Sequence, residues 1–135
     1  MATIEEGLYA RLSGTAGVTA LVSTRIYPMA IPQDITLPAI AYQRISGLRI
    51  PEHDGPSGLA TGRVQFTCQG TSYSSAKAVA TAVRAALDCY SGAITVGAGS
   101  VTVESCFLQN EYDGFELETE SRTVRLDFLI MYKEE

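Results

Sequence analysis

Apolar residues between 71 and 91 fall at Tyr73, Ala76, Val79, Ala80, Val83, Ala86, Leu87 and Tyr90. Steps of three and four predict a helix over about 72–90 with one buried face. Lys77, Thr81, Arg84 and Asp88 recur on the opposite side. Thr71 or Ser72 can cap its first amides, and Gly92 marks the expected stop. The flanking segments change period. Over 63–69, Val64, Phe66 and Cys68 alternate with Arg63, Gln65, Thr67 and Gln69, and the stretches 101–108 and 123–133 also read with period two. A helix packed across an antiparallel or mixed sheet follows, an α+β class.

Elsewhere the pattern is weaker. Thr3 and Glu6 make a capping box for a short N-terminal helical segment with Ile4, Leu8 and Leu12 on one face. Val18, Leu21 and Val22 mark a further turn or two, and Pro28 suits a strand edge. Residues 39–46 read as a strand. Residues 47–60 carry Gly47, Pro51, Gly55, Pro56 and Gly58, a composition that resists regular structure and predicts an irregular arm projecting from the sheet. Gly97, Ala98 and Gly99 suit a hairpin turn between two strands; the third glycine, helix and lysine of a phosphate loop are missing.

The last strand sets an expectation about assembly. Val124, Leu126, Phe128, Ile130 and Tyr132 make one apolar face, while Leu129 and Met131 make the other face apolar towards its end. A strand apolar on both sides is buried on both sides. Either the N-terminal helix covers the second face or a neighbouring subunit does.

Length and charge narrow the classes. The 135 residues, 46% hydrophobic and 19% charged, predict one folded domain over 1–135. No apolar run approaches the ~20 residues of a bilayer span, and the acidic start lacks a signal-peptide pattern. No membrane partner is expected. Cys68, Cys89 and Cys106 fit no metal spacing and are expected to be reduced, in a cytosolic setting. The net charge of −5 argues against a tight grip on phosphate backbones. Between 104 and 120 stand Glu104, Glu111, Asp113, Glu116, Glu118 and Glu120 with no Lys or Arg. They read as a solvated loop or as a surface that repels DNA.

Catalysis finds little support. His53, the single imidazole, sits in a Gly/Pro-rich stretch where a base would be poorly held. No zinc pattern, nucleotide loop or dinucleotide fingerprint is present, so no catalytic, cofactor or metal residues are assigned and no enzyme is expected.

Several landmarks together resemble a known family. Ala16-Gly17-Val18-Thr19-Ala20-Leu21-Val22 and then Arg25-Ile26-Tyr27-Pro28 follow the first helix. Leu37-Pro38 enters the apolar run Ala39-Ile40-Ala41-Tyr42-Gln43-Arg44-Ile45-Ser46. A Gly-rich loop, a strand, the Ala-rich helix and the closing run Arg125-Leu126-Asp127-Phe128-Leu129-Ile130-Met131-Tyr132 complete the order. This order resembles siphophage and prophage tail completion proteins, tail terminators that join tail to head. The resemblance implies a structural protein of the tail–head junction, made in the host cytoplasm and built into the virion. It implies a homo-oligomeric ring, hexameric on the tail, with the tail tube protein and the head connector or stopper as partners, and DNA passing through unbound. Another neck component (a head-completion or stopper protein) is the alternative within that class. A small α+β ligand-binding domain is the alternative outside it, and would need a concave pocket with converging polar groups.

Candidate residues follow from these expectations. Leu129, Met131, Tyr42 and Arg44 are candidates for the subunit interface. Leu48, Arg49, Ile50, His53 and Leu59 are candidates for a partner-binding loop. Glu111, Asp113, Glu116, Glu118 and Glu120 are candidates to face the channel, since like charge keeps DNA from sticking.

Overall fold

The chain is described here by a computed structural model covering residues 4–23, 25–29, 38–52, 55–96, 99–116 and 121–134. The described elements, in order, are α1 (Ile4–Ser13), α2 (Ala16–Val22), β1 (Ile26–Pro28), β2 (Ala39–Glu52) and β3 (Gly55–Gly70). Then come α3 (Tyr73–Leu87), β4 (Gly92–Val96), β5 (Gly99–Glu116) and β6 (Ser121–Glu134). The strands form one sheet in the order β1-β2-β3-β6-β5-β4. Every pairing is antiparallel except β1 with β2. The α+β class and mixed sheet are those the sequence predicts.

α3 buries Ala76, Val79, Ala80, Val83, Ala86 and Leu87 against β3 and β6, the face its spacing dictates. The Ser72 hydroxyl oxygen accepts from the Ser75 N–H at 3.2 Å and caps the first turn. The helix stops at Leu87, short of the expected end near 90. Asp88 turns to extended backbone and Cys89 is left-handed, with φ 60°. The Cys89 N–H then donates to the Cys106 carbonyl at 2.7 Å, so β5 ends the helix before Gly92, which instead opens β4. β3 approaches the start of α3 closely: a Cβ on Gly70 would lie 2.8 Å from the Ala76 backbone nitrogen.

α1 lies on the same side as α3. Its Ile4, Leu8 and Leu12 join the common core, a Cβ on Gly7 would lie 3.3 Å from Val101 Cβ, and Arg11 Nε donates to the Ala86 carbonyl at 3.2 Å. α2 seats Val18 and Val22 in that core. The Thr3 cap lies outside the described residues.

Two segments depart from their sequence reading. The stretch 47–60, expected to be irregular, continues the β2–β3 ladder through Arg49↔Ala60 and Pro51↔Pro56 to Glu52↔Gly55. Register shifts at Arg44/Ser46 and Arg49/Pro51 absorb the misfit, and the two prolines lie near the ends of their strands, where a missing amide donor is tolerated. β6 accompanies β3 only from Leu59 onward, so the ribbon runs past the end of its neighbour. The acidic stretch expected as a loop is strand as far as Glu116, paired with β6 down to Glu116↔Ser121.

Candidate assembly interface

β6 is central, between β3 and β5, and its two faces differ. Val124, Leu126, Phe128 and Ile130 are fully buried beneath the helices, with Phe128 edge-on to Phe66 at 5.7 Å between centroids. Alternate positions face the other way, where no described helix packs. Leu129 and Met131 are half-buried there. Register sets Leu129 between Arg63 and Phe107, and Met131 between Thr61 and Ser105. Phe107 is 48% exposed. Of the two covers the sequence left open for this face, α1 is ruled out by its place on the opposite side.

Further along the same face the chemistry turns polar. Gln65 Nε2 donates to Asp127 Oδ1 at 3.1 Å and to the Tyr112 hydroxyl at 2.7 Å. The Arg125 guanidinium lies 5.9 Å from the Tyr112 ring centroid. Asp127, although buried, thus has a partner.

Tyr42 and Arg44 turn to the helix side of β2. The Tyr42 ring stands 6.3 Å from that of Tyr9. Arg44 Nε meets Glu5 Oε1 at 3.2 Å, both side chains partly exposed. Two open clefts flank Tyr42: one of ≈ 290 Å³ lined by Glu6, Tyr9, Ala10, Ser13 and Tyr42, the other of ≈ 330 Å³ running from Glu5 past Met29 to Arg44. Burial chiefly, with Tyr9, Glu5 and Glu6 adding their charge, raises the Tyr42 hydroxyl above its ordinary range. It therefore stays protonated at neutral pH.

The acidic candidates divide. A register shift between Leu108 and Asn110 reverses which side each following residue faces. Glu111 and Asp113 consequently reach α3. Glu111 Oε2 lies 3.9 Å from Arg84 Nη1 and Asp113 Oδ1 lies 3.5 Å from Lys77 Nζ, while the Tyr73 hydroxyl donates to Asp113 Oδ2 at 3.0 Å. Glu118 and Glu120 lie outside the described residues, as does His53; Glu116 ends β5. Leu48, Arg49 and Ile50 are on β2 and Leu59 is on β3, within the ribbon.

Nothing here assembles a reactive centre among the described residues. No group of three or more His, Cys, Asp or Glu could hold a metal. Cys68 and Cys106 are free thiols pushed up to about 12 by burial first, with Glu111 adding to the shift at Cys68 and Asp88 at Cys106. A nucleophilic thiol needs the opposite shift. Sequence reasoning missed Phe107, Ile45 and Tyr112 as exposed surface. The aromatic positions Tyr112 and Phe115 were the signal that the strand runs on into the acidic stretch.

Comparison with known families settles the class. Residues 6–133 match the family described as tail completion protein gp17. The chain belongs to that family. It is accordingly a structural protein of a phage tail, with its place in the virion. Among solved structures it resembles a chain from the virion of a native gene transfer agent (GTA) particle. The TM-score is 0.74 at 18% identity, covering 93% of this chain and 91% of that one. That likeness supports the fold, a sheet with its helices gathered on one side. No curated protein matches.

Proposed function

We propose that this tail completion protein is a tail terminator. Copies close into a ring, hexameric on the tail, that stops tube growth and presents its far side to the head connector or stopper. The observation that carries the reading is the bare sheet face: Leu129 and Met131 half-buried and Phe107 exposed, with all three described helices bound to the opposite side. Greasy surface of this kind on a structural protein marks a contact. In the ring reading Leu129 and Met131 on that face, and Tyr42 and Arg44 on β2, contribute to subunit contacts. The β2–β3 ribbon, with Leu48, Arg49, Ile50 and Leu59, reaches for tube or connector, and His53 is assigned to the same contact.

The acidic stretch is assigned to the channel or its rim in this reading, where DNA passes without adhering. Glu116, Glu118 and Glu120 are the better carriers of that role, because Glu111 and Asp113 already meet cations on α3. Reversing those three to Lys should leave folding intact and slow DNA exit; unchanged infectivity would remove the channel assignment.

The ring itself is tested by imaging. Wild-type protein mixed with tail tubes should cap tube ends with rings in negative stain. The Leu129→Lys, Met131→Lys variant should stay folded and leave tubes bare. Normal capping by that variant would end the claim that this face is a contact.

A further inference from the structure

The open sheet face is apolar along one level, with a cation in the middle. Register sets Ser46, Arg63, Leu129 and Phe107 side by side on β2, β3, β6 and β5. Ile45, next to the helix-facing Arg44, alternates to the same side and is exposed, as is Phe107. Arg63 and Leu129 are half-buried. No ion pair with Arg63 forms among the described residues. Of the described acids nearby, Asp127 is buried and already accepts from Gln65, and Glu104 stands at the β5 register shift beyond Ser105. A neighbour that covers this row takes the Arg63 guanidinium out of water. It must bring a carboxylate together with apolar surface, or leave a charge buried without a partner.

Two other described surfaces of the subunit combine acids with exposed apolar side chains. At the start of α3, Tyr73 and Phe115 stand beside Glu111 and Asp113, but Lys77, Arg84 and Arg122 lie among them, so cations outnumber acids. Between α1 and β2 the balance is reversed. Glu5 and Glu6 line the two clefts there with one cation, Arg44, which Glu5 holds at 3.2 Å. Tyr9 and Met29 are exposed beside Tyr42, and the open clefts leave room for a neighbour's side chains. The negative potential reaches Tyr42, whose hydroxyl is raised by burial first and then by the charges of Tyr9, Glu5 and Glu6.

We propose that the open row of one copy seats on the α1–β2 surface of the next, with Arg63 against Glu6 and Phe107 beside Tyr9 and Tyr42. The inference rests on the ring reading and names the contact within it. The two surfaces lie on opposite sides of the sheet, so each copy gives one and receives the other at once. Such a contact is head-to-tail, the kind that closes a ring when the rotation divides a full turn. Burial of the apolar row supplies affinity, and the charge pair fixes which surface meets which.

Tail tubes mixed with subunits test this. Rings are imaged in negative stain, bound subunit is read by co-sedimentation, and melting curves confirm that each variant folds. Wild-type protein should form rings on tubes. Arg63→Glu alone and Glu6→Lys alone should each lower bound subunit about tenfold, because like charges then meet at every boundary. An equal mixture of the two variants should restore rings, since copies alternating around a ring of even number bring opposite charges together at every boundary. A row that docks on the tube or connector instead gives variants that mixing does not rescue. Wild-type rings with an unrescued mixture, or with single variants that bind normally, would overturn the pairing and leave the ring reading in place. Absence of wild-type rings would remove both.

Discussion

Phe128 and Leu129 are neighbours in sequence and have opposite employments. Phe128 points under α3, fully buried and edge-on to Phe66. Leu129 points to the face that no described helix covers and stays half-buried. The whole sheet repeats this division. One side is filled by side chains from three helices and closed; the other passes from a polar group around Asp127 to an apolar row at Phe107, Leu129 and Met131. A strand apolar on both faces can thus mean two things at once: a core that makes the fold and a surface that awaits a neighbour.

The comparison breaks most visibly at Phe128. Phe128→Ala should cost about 3–5 kcal/mol in denaturant unfolding, the transfer term plus the cavity left beneath α3. An equal loss from Leu129→Ala would erase the distinction between the faces. The buried side also carries the alkaline limit of the fold. Cys68 and Cys106 have pKa values pushed up to about 12 from a reference of 9.0, so the folded state holds their protons longer than the unfolded chain. Their stabilisation is complete below pH 9 and declines as pH rises towards 12. The slope should be about 1.4 kcal/mol per pH unit for each thiol within that window. Melting curves collected across it should be shallower in pH for Cys68→Ala, Cys106→Ala than for the parent; parallel curves would show that burial does not hold these thiols neutral.

Much of this division can be read in the sequence, and the failures share a cause. The buried face of α3 is fixed by spacing, although its end at Leu87 is not, and the cap, Ser72, is one of the two residues the sequence offers. Strand β6 announces its two faces. Strand length is what the residues conceal. Gly47, Pro51, Gly55 and Pro56 are loop residues by propensity, yet the ladder passes through them because bulges absorb the misfit and the prolines lie near the strand ends. The acidic run looks like solvated loop until β6 supplies the partner that makes it strand. The orientation of Glu111 and Asp113 is less legible still. It depends on one irregularity after Leu108, and without that shift both would point away from Lys77 and Arg84. Local composition does not encode a bulge whose place is set by pairing with a distant strand.

Smaller effects probe how the closed side is joined. Gly70→Ala would press a methyl to 2.8 Å from the Ala76 backbone nitrogen, and forcing strand and helix apart should cost about 1–3 kcal/mol. Ser72→Ala removes the acceptor for the Ser75 N–H and should cost about 1 kcal/mol. If both substitutions were neutral, the β3–α3 junction would not be the tight corner its geometry describes.

The smallest expected change in stability falls on the open side. Phe107 is a large aromatic residue, 48% exposed, on the same row as Leu129. Phe107→Ser removes apolar surface that already meets water, so unfolding of the free subunit should shift by no more than about 0.5 kcal/mol. Its effect belongs to the assembled state, where desolvated aromatic anchors dominate contacts. Subunit bound per tail tube, measured by co-sedimentation, should drop steeply while the melting curve of the free protein stays in place. A variant that melts early and still sediments with tubes would invert the assignment: Phe107 would then be part of the fold, and the open face would have no claim on a neighbour.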